Sequence, residues 1–148
     1  MAVTDAAQQL VVFSLGEEEY ALPITQVQEI IRYTEPRAVA SEEPWIEGVI
    51  SLRGKIIPVC NLAQRLGLST ERVDNAKIVI VETGGGTAGV IVDEVEEVLT
   101  VEEEQLDSVP GAGTEFIEAV AKIGDRLVVL LNSDGIFAGA GIATAAAA

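Results

Sequence analysis

An internal repeat narrows the possible folds of this chain more than any other feature. Residues 10–31, LVVFSLGEEEYALPITQVQEII, lie over residues 78–99, IVIVETGGGTAGVIVDEVEEVL, at an offset of 68 residues (10 onto 78). Gly16 falls on Gly84, Val27 on Val95 and Glu29 on Glu97. A second pair of segments, 47–61 (EGVISLRGKIIPVCN) and 118–132 (EAVAKIGDRLVVLLN), matches at an offset of 71 (47 onto 118), so a short insertion separates the two registers. Two copies of one unit, at about 10–68 and 78–137, predict a pseudo-symmetric molecule in which neither half need be stable alone.

Both units follow one local order. Val11, Phe13 and Leu15 alternate up to the Gly16-Glu17 turn, and the run from Tyr20 to Ile24 resumes beyond it, which predicts a hairpin. Pro23 has no N–H to donate, so its strand should end there or lie at an edge. Thr25 with Gln28 three residues on reads as a capping box, predicting a short helix with Val27, Ile30 and Ile31 on one face and Glu29 on the other. A β-branched hairpin follows, with Arg53-Gly54 as a two-residue loop. Its counterpart turns at Gly124-Asp125. Asn61 should start a helical turn over 61–66 closed by Gly67, and Thr100 with Glu103 predicts a brief acidic helix over 101–106. Many short strands, tight turns and little helix indicate an all-β protein of two small barrel-like subdomains, with strands exchanged between them as an open alternative.

A chain of 148 residues fits one domain with a sizeable core. Its apolar runs are far shorter than the ~20 residues of a membrane span, and residues 1–10 lack the features of a secretory signal, so a cytoplasmic location is expected. One cysteine, Cys60, cannot form an internal disulfide. A net charge of −15 argues against nucleic acid or anionic lipid as partner, since both reward clustered Lys and Arg. Abundant acids beside three lysines would also suit concentrated salt, which screens self-repulsion.

Phosphate-binding and catalytic readings fail on their own requirements. Gly48 and Gly54 have five residues between them, and Ile56 stands where a P-loop needs a hydroxyl. Gly84, Gly86 and Gly89 satisfy a dinucleotide fingerprint in letters, but a strand-like Val90-Ile91-Val92 follows where a helix N-terminus is required, so a hairpin turn is expected. The chain has no histidine, no serine in a nucleophile elbow, and a cysteine set in an apolar strand. Consecutive acids at 17–19 and 102–104 read as solvated surface and lack the order of a calcium loop. No catalytic, cofactor-binding or metal-ligating set is therefore expected. Trp45 and Phe116 occupy matching places before the second hairpin of each unit and read as core or rim packing. The second copy has glycine where the first has Arg53, so the turn itself does not demand arginine.

The segments VVFSLGEEEYALPITQVQEII, WIEGVISLRGKIIPVCNLAQRLGL and AGVIVDEVEEVL, in that order, resemble the CheW family of chemotaxis coupling proteins over residues 10–131. The resemblance implies a non-enzymatic adaptor of two intertwined SH3-like β-barrels spanning 10–138, between a flexible stretch 1–9 and a disordered Gly/Ala tail 139–148. It implies as partners the cytoplasmic tips of chemoreceptors and the regulatory domain of the histidine kinase CheA, without cofactor or membrane insertion, at membrane-associated receptor arrays. It places Val27, Gln28 and Glu29 on the family's Val-Gln-Glu helix. It also implies that Val27, Glu29, Gly48, Leu52, Arg53, Gly54 and Val95 line or support a receptor-binding groove between subdomains, with Arg53 and Glu29 orienting the contact through charge-assisted bonds, to the partner or to each other. The kinase-binding residues are left unassigned. Two departures from the family pattern are Ser51, where asparagine is usual, and the ending 132–137 in place of an acidic, leucine-rich one. The alternatives are a CheW-like module detached from a larger signalling protein, against which the initial methionine and missing linker weigh, and a small-molecule sensor using the inter-barrel groove.

Overall fold

The computed structural model describes residues 7–39, 43–68, 74–107 and 116–137. Among these residues, eleven strands form two sheets. The first unit contributes β1 (Ala7–Leu15), β2 (Glu18–Pro23), β3 (Val27–Arg32), β4 (Ile46–Leu52) and β5 (Lys55–Asn61). The second contributes β6 (Lys77–Thr83), β7 (Gly86–Val92), β8 (Glu94–Glu102), β9 (Leu106–Asp107), β10 (Ile117–Ile123) and β11 (Arg126–Leu131). Among the described residues, helices are confined to α1 (Leu62–Arg65) and α2 (Ser133–Ile136), with 3-10 turns at Ile24–Gln26 and Glu103–Gln105.

The strand order shows that the units exchange their first hairpins. One sheet runs β8-β1-β2-β11-β10-β9 and the other β3-β6-β7-β5-β4. Hairpin β1–β2 thus completes the barrel of the second unit, and β6–β7 completes that of the first. The repeat offsets hold down to single residue pairs. The parallel pairing Val59↔Gly89 has its counterpart in Leu130↔Ala21, and the pairing Val27↔Val81 in Val95↔Phe13. Even the irregularities recur: the register shift between Val27 and Glu29 on β3 matches that between Val95 and Glu97 on β8.

This arrangement explains the near-continuous apolar runs of β1 and β6, since strands buried on both faces lose the alternation of half-buried ones. On β1, Leu10 and Val12 enter a core with Ala21, Val101, Ala121, Val128 and Leu130, while Phe13 and Leu15 face a second core. On β6, Ile78 and Ile80 pack with Ile50, Ile57, Val59 and Ile91, and Val79 and Val81 face that same second core. Each barrel therefore has its own interior, and that second core, the largest of the three clusters, joins them through Trp45, Leu62, Phe116, Leu131 and Ile136. At roughly 1.5–3 kcal/mol for each large side chain buried, this shared cluster makes the halves mutually dependent.

Several sequence expectations are met. The hairpins turn at Gly16-Glu17, Arg53-Gly54, Gly84-Gly85 and Gly124-Asp125, β2 ends at Pro23, and Asn61 caps α1 by accepting from the Gln64 N–H at 3.0 Å. Trp45 and Phe116 are buried in the junction core.

Others need correction. The helix expected to begin at Thr25 is absent: Ile24–Gln26 forms one 3-10 turn with no side-chain cap, and Val27–Arg32 is a strand paired with β6. β-branched Val27, Ile30 and Ile31 give up little rotamer freedom on a pleated surface, and the free edge of β6 supplies the ladder. The family's Val-Gln-Glu segment is thus on a strand here. The acidic helix expected over 101–106 shrinks to Glu103–Gln105, with Glu102 and Gln105 as its capping box, while Val101 is buried in β8. Ala7, Gln8 and Gln9, expected in a flexible leader, pair with Glu102, Val101 and Thr100, because long β8 offers them a ladder. The expected Gly/Ala tail lies outside the described residues.

Candidate functional site

The β4–β5 turn has two consecutive residues in the left-handed region, Arg53 at φ 51° and Gly54 at φ 83°, the geometry a two-residue hairpin loop requires. From this turn Arg53 reaches across to β3. Its Nη2 donates to Glu29 Oε1 at 2.8 Å and its Nη1 to Glu29 Oε2, a bidentate fork. The Arg53 side chain is 70% exposed and that of Glu29 27%, so the pair sits at the surface. Hydrogen bonding from Arg53 holds the Glu29 carboxyl below its ordinary range against a smaller opposing effect of desolvation, and the same contact raises the Arg53 pKa.

The other candidate residues are placed around this pair by different forces. Leu52, just before the turn, packs against the core of its barrel. Val27 packs against the junction core from β3. Val95, its repeat counterpart, does the same from β8 in the other sheet, so these two meet the shared cluster from related edges. Gly48 acts through its backbone. Arg37 pairs with Val49 through N–H···O bonds of 2.8 and 2.9 Å, which brings the Arg37 carbonyl so close that a Cβ on Gly48, at φ 154°, would stand 2.1 Å from its oxygen. Glu29, Leu52, Arg53 and Gly54 thus belong to one barrel, Val95 to the other, and Gly48 supports the segment behind β4.

Two surface concavities, one lined by Ser14, Gly16, Asp74, Asn75, Lys77, Asp93 and Glu94 and the other by Arg32, Tyr33 and Asp74–Lys77, include none of these residues. Among the described residues no group of three His, Cys, Asp or Glu could hold a metal ion. Burial pushes the Cys60 thiol far up, keeping it protonated and unreactive.

The repeat also marks residues that sequence reasoning passed over. Four exposed large apolar residues form two related pairs, Ile30 with Val98 and Ile56 with Leu127, whereas Ile24 and Val39 stand outside this pattern. In each unit these apolar residues are accompanied by an arginine that binds glutamate, Arg53 with Glu29 in the first. In the second unit it is Arg126, which donates to Glu19 from Nε and Nη2 at 3.1 and 2.9 Å and lies 2.8 Å from Glu97, the counterpart of Glu29. Comparing the copies position by position for apolar residues that alternation leaves outside would have found these pairs.

Two strand-exchanged barrels around a common core, bearing a charged hairpin tip on one edge, define a double SH3-like barrel protein. The chain belongs to the CheW family: the CheW-like domain model matches residues 9–140. It is 34% identical over 134 residues to chemotaxis protein CheW of Bacillus subtilis, covering 87% of this chain and 86% of that one. To chemotaxis protein CheW of Treponema pallidum it is 32% identical over 146 residues, covering 93% and 86%. The crystal structure of the scaffolding protein TtCheW from Thermoanaerobacter tengcongensis superposes with a TM-score of 0.83 at 36% identity, covering 88% of this chain and 92% of that one. No helix among the described residues is long and apolar enough to cross a membrane.

Proposed function

We propose that this protein is a non-catalytic chemotaxis adaptor that couples the cytoplasmic tips of chemoreceptors to the regulatory domain of the histidine kinase CheA. Family membership and the names of the relatives support the coupling role. The observation that carries the site is Arg53: it stays at the surface, forked onto Glu29, in a backbone conformation that glycine adopts at lower cost and that the second copy fills with Gly124. An arginine kept against local preference at an exposed tip is explained by what it meets outside the chain.

In this reading the receptor's hairpin tip lies along β3 and the β4–β5 turn. Val27, Leu52 and Val95 supply apolar contact, Glu29 and Arg53 set its orientation, and Gly48 and Gly54 keep the strand and turn in place. The kinase regulatory domain docks separately, barrel to barrel, and the exposed apolar residues at strand ends are suited to that contact. The adaptor then works by position, holding kinase and receptor so that the receptor's two states make different contacts and bias the kinase. Recruitment to receptor arrays follows from these two bindings.

Titrating a receptor-tip fragment onto the parent protein and onto Arg53→Glu tests the site. We expect affinity to fall at least tenfold with the unfolding midpoint unchanged. Equal affinities would remove Arg53 from the site, and loss of folding would make it a structural residue.

A further inference from the structure

Arg65 lies where the pseudo-symmetry of the molecule fails. Its guanidinium carbon sits 4.5 Å from the centroid of the Trp45 ring and 4.6 Å from that of Phe116, between two aromatic residues that are repeat counterparts. Nε donates to the Ile136 carbonyl at 2.8 Å and Nη2 to the Gly135 carbonyl at 3.3 Å. The offset of 71 makes Ile136 the counterpart of Arg65, so one unit's arginine grips the chain at its own equivalent. An isoleucine, which the second unit has here, cannot donate to those carbonyls. The repeat itself therefore does not account for the arginine.

The grip matters because α2 has four residues and cannot persist by its own hydrogen bonds. The Phe137 N–H turns back to the Ser133 and Gly135 carbonyls, and Arg65 adds side-chain donors and positive charge at that end, to the Gly135 and Ile136 carbonyls. From its other end α2 reaches the β3 edge. The Ser133 N–H donates to Gln26 Oε1 at 3.1 Å, and the buried Ser133 hydroxyl donates to the Glu82 carbonyl at 2.9 Å. Gln26 closes the 3-10 turn that leads into Val27, and Glu82 accepts a hydrogen bond from Gln28 at the β3 bulge. A contiguous path therefore runs from Arg65 through α2 to the strand bearing Val27 and Glu29.

We infer that Arg65 is a positioning residue: by seating α2 against the Ile24–Gln26 turn, it fixes the start of β3 and with it the edge offered to the receptor. The functional half of this inference rests on the proposed reading of Val27, Glu29 and Arg53. The positional half does not.

Amide hydrogen exchange on the full chain, paired with receptor-tip binding, tests both halves. In Arg65→Met, which keeps much of the apolar volume, exchange at residues 24–29 and 133–137 should accelerate tenfold or more. Exchange at Val128 and Leu130, inside the other barrel, should stay at the parent rate, and receptor-tip affinity should fall several-fold. Arg65→Lys, which retains charge but not the planar fork, should fall between parent and Arg65→Met in both readouts. Parent-like exchange at 24–29 beside faster exchange at 133–137 would overturn the inference, because α2 would then not be holding the edge. If Arg65→Met loosens every strand alike, Gln26→Ala decides, since it removes the acceptor of the Ser133 N–H and leaves the aromatic pair intact. Faster exchange at 27–29 in that variant supports the path, and parent-like exchange overturns it. Full affinity in Arg65→Met where Arg53→Glu has lost binding overturns the functional half. Full affinity in both, with faster exchange at 24–29, upholds the positional half and rejects the proposed receptor site instead.

Discussion

At position 53 two effects of similar size oppose each other. The left-handed backbone disfavours a residue with a Cβ, and an exposed ion pair screened by solvent returns no more than that, so fold stability alone gives no reason for arginine. Arg53→Gly should therefore leave the midpoint of urea denaturation close to that of the parent, while receptor-tip affinity falls tenfold or more. Glu29 offers a second test. Its folded pKa is depressed by Arg53, so the contribution of the pair is complete above the ordinary carboxylate range and is lost only as pH falls through the depressed value. A carboxyl titration followed by NMR should show the Glu29 midpoint rising in Arg53→Gly. Gly48 differs, because the atom its Cβ would strike belongs to the backbone and cannot rotate away. Gly48→Ala should cost roughly 2 kcal/mol or more, read from the same urea curves, whereas its counterpart is already Ala119.

Among the elements, the hairpins were legible because two-residue turns leave a local signature of glycine between β-branched runs, and that signature fixes the register. The β3 strand was not legible. Its register shift between Val27 and Glu29 breaks simple alternation, and the remaining spacing of Val27, Ile30 and Ile31 imitates a helical face. Only the neighbouring edge of β6, some fifty residues away in the chain, decides between the two. The difference can be tested by paired substitutions. On a helix Ile30 and Ile31 would share the buried face, whereas on β3 Ile30 is 41% exposed and Ile31 packs against the barrel core. Ile30→Thr should change stability by less than about 0.5 kcal/mol, and Ile31→Thr should cost about 1–2 kcal/mol, again from denaturation curves. Of the candidate residues, Arg53 and Gly54 could be read from their turn. Arg65 could not, because its partners at 45, 116 and 135–136 meet only at the junction.

At the scale of the whole molecule the repeat predicted two related halves but left open which copy supplied each hairpin. Val59 beside Gly89 and Leu130 beside Ala21 are chemically alike, so composition alone does not distinguish exchanged from unexchanged pairing. The structure resolves this: each barrel borrows a hairpin, and the shared core closes over both loans. A chain ending at residue 68 would have β1–β2 without β8 and β11, and β3–β5 without β6–β7. That fragment alone should show no cooperative thermal transition by circular dichroism, and mixing it with residues 69–148 should restore one. The coupling role is tested most directly by reconstituting receptor, kinase and adaptor and following kinase autophosphorylation. We expect receptor-dependent control only when all three are present and its loss with Arg53→Glu, although that variant still binds the kinase regulatory domain. Receptor control that survives omission of this chain, or that is undiminished by Arg53→Glu, would contradict it.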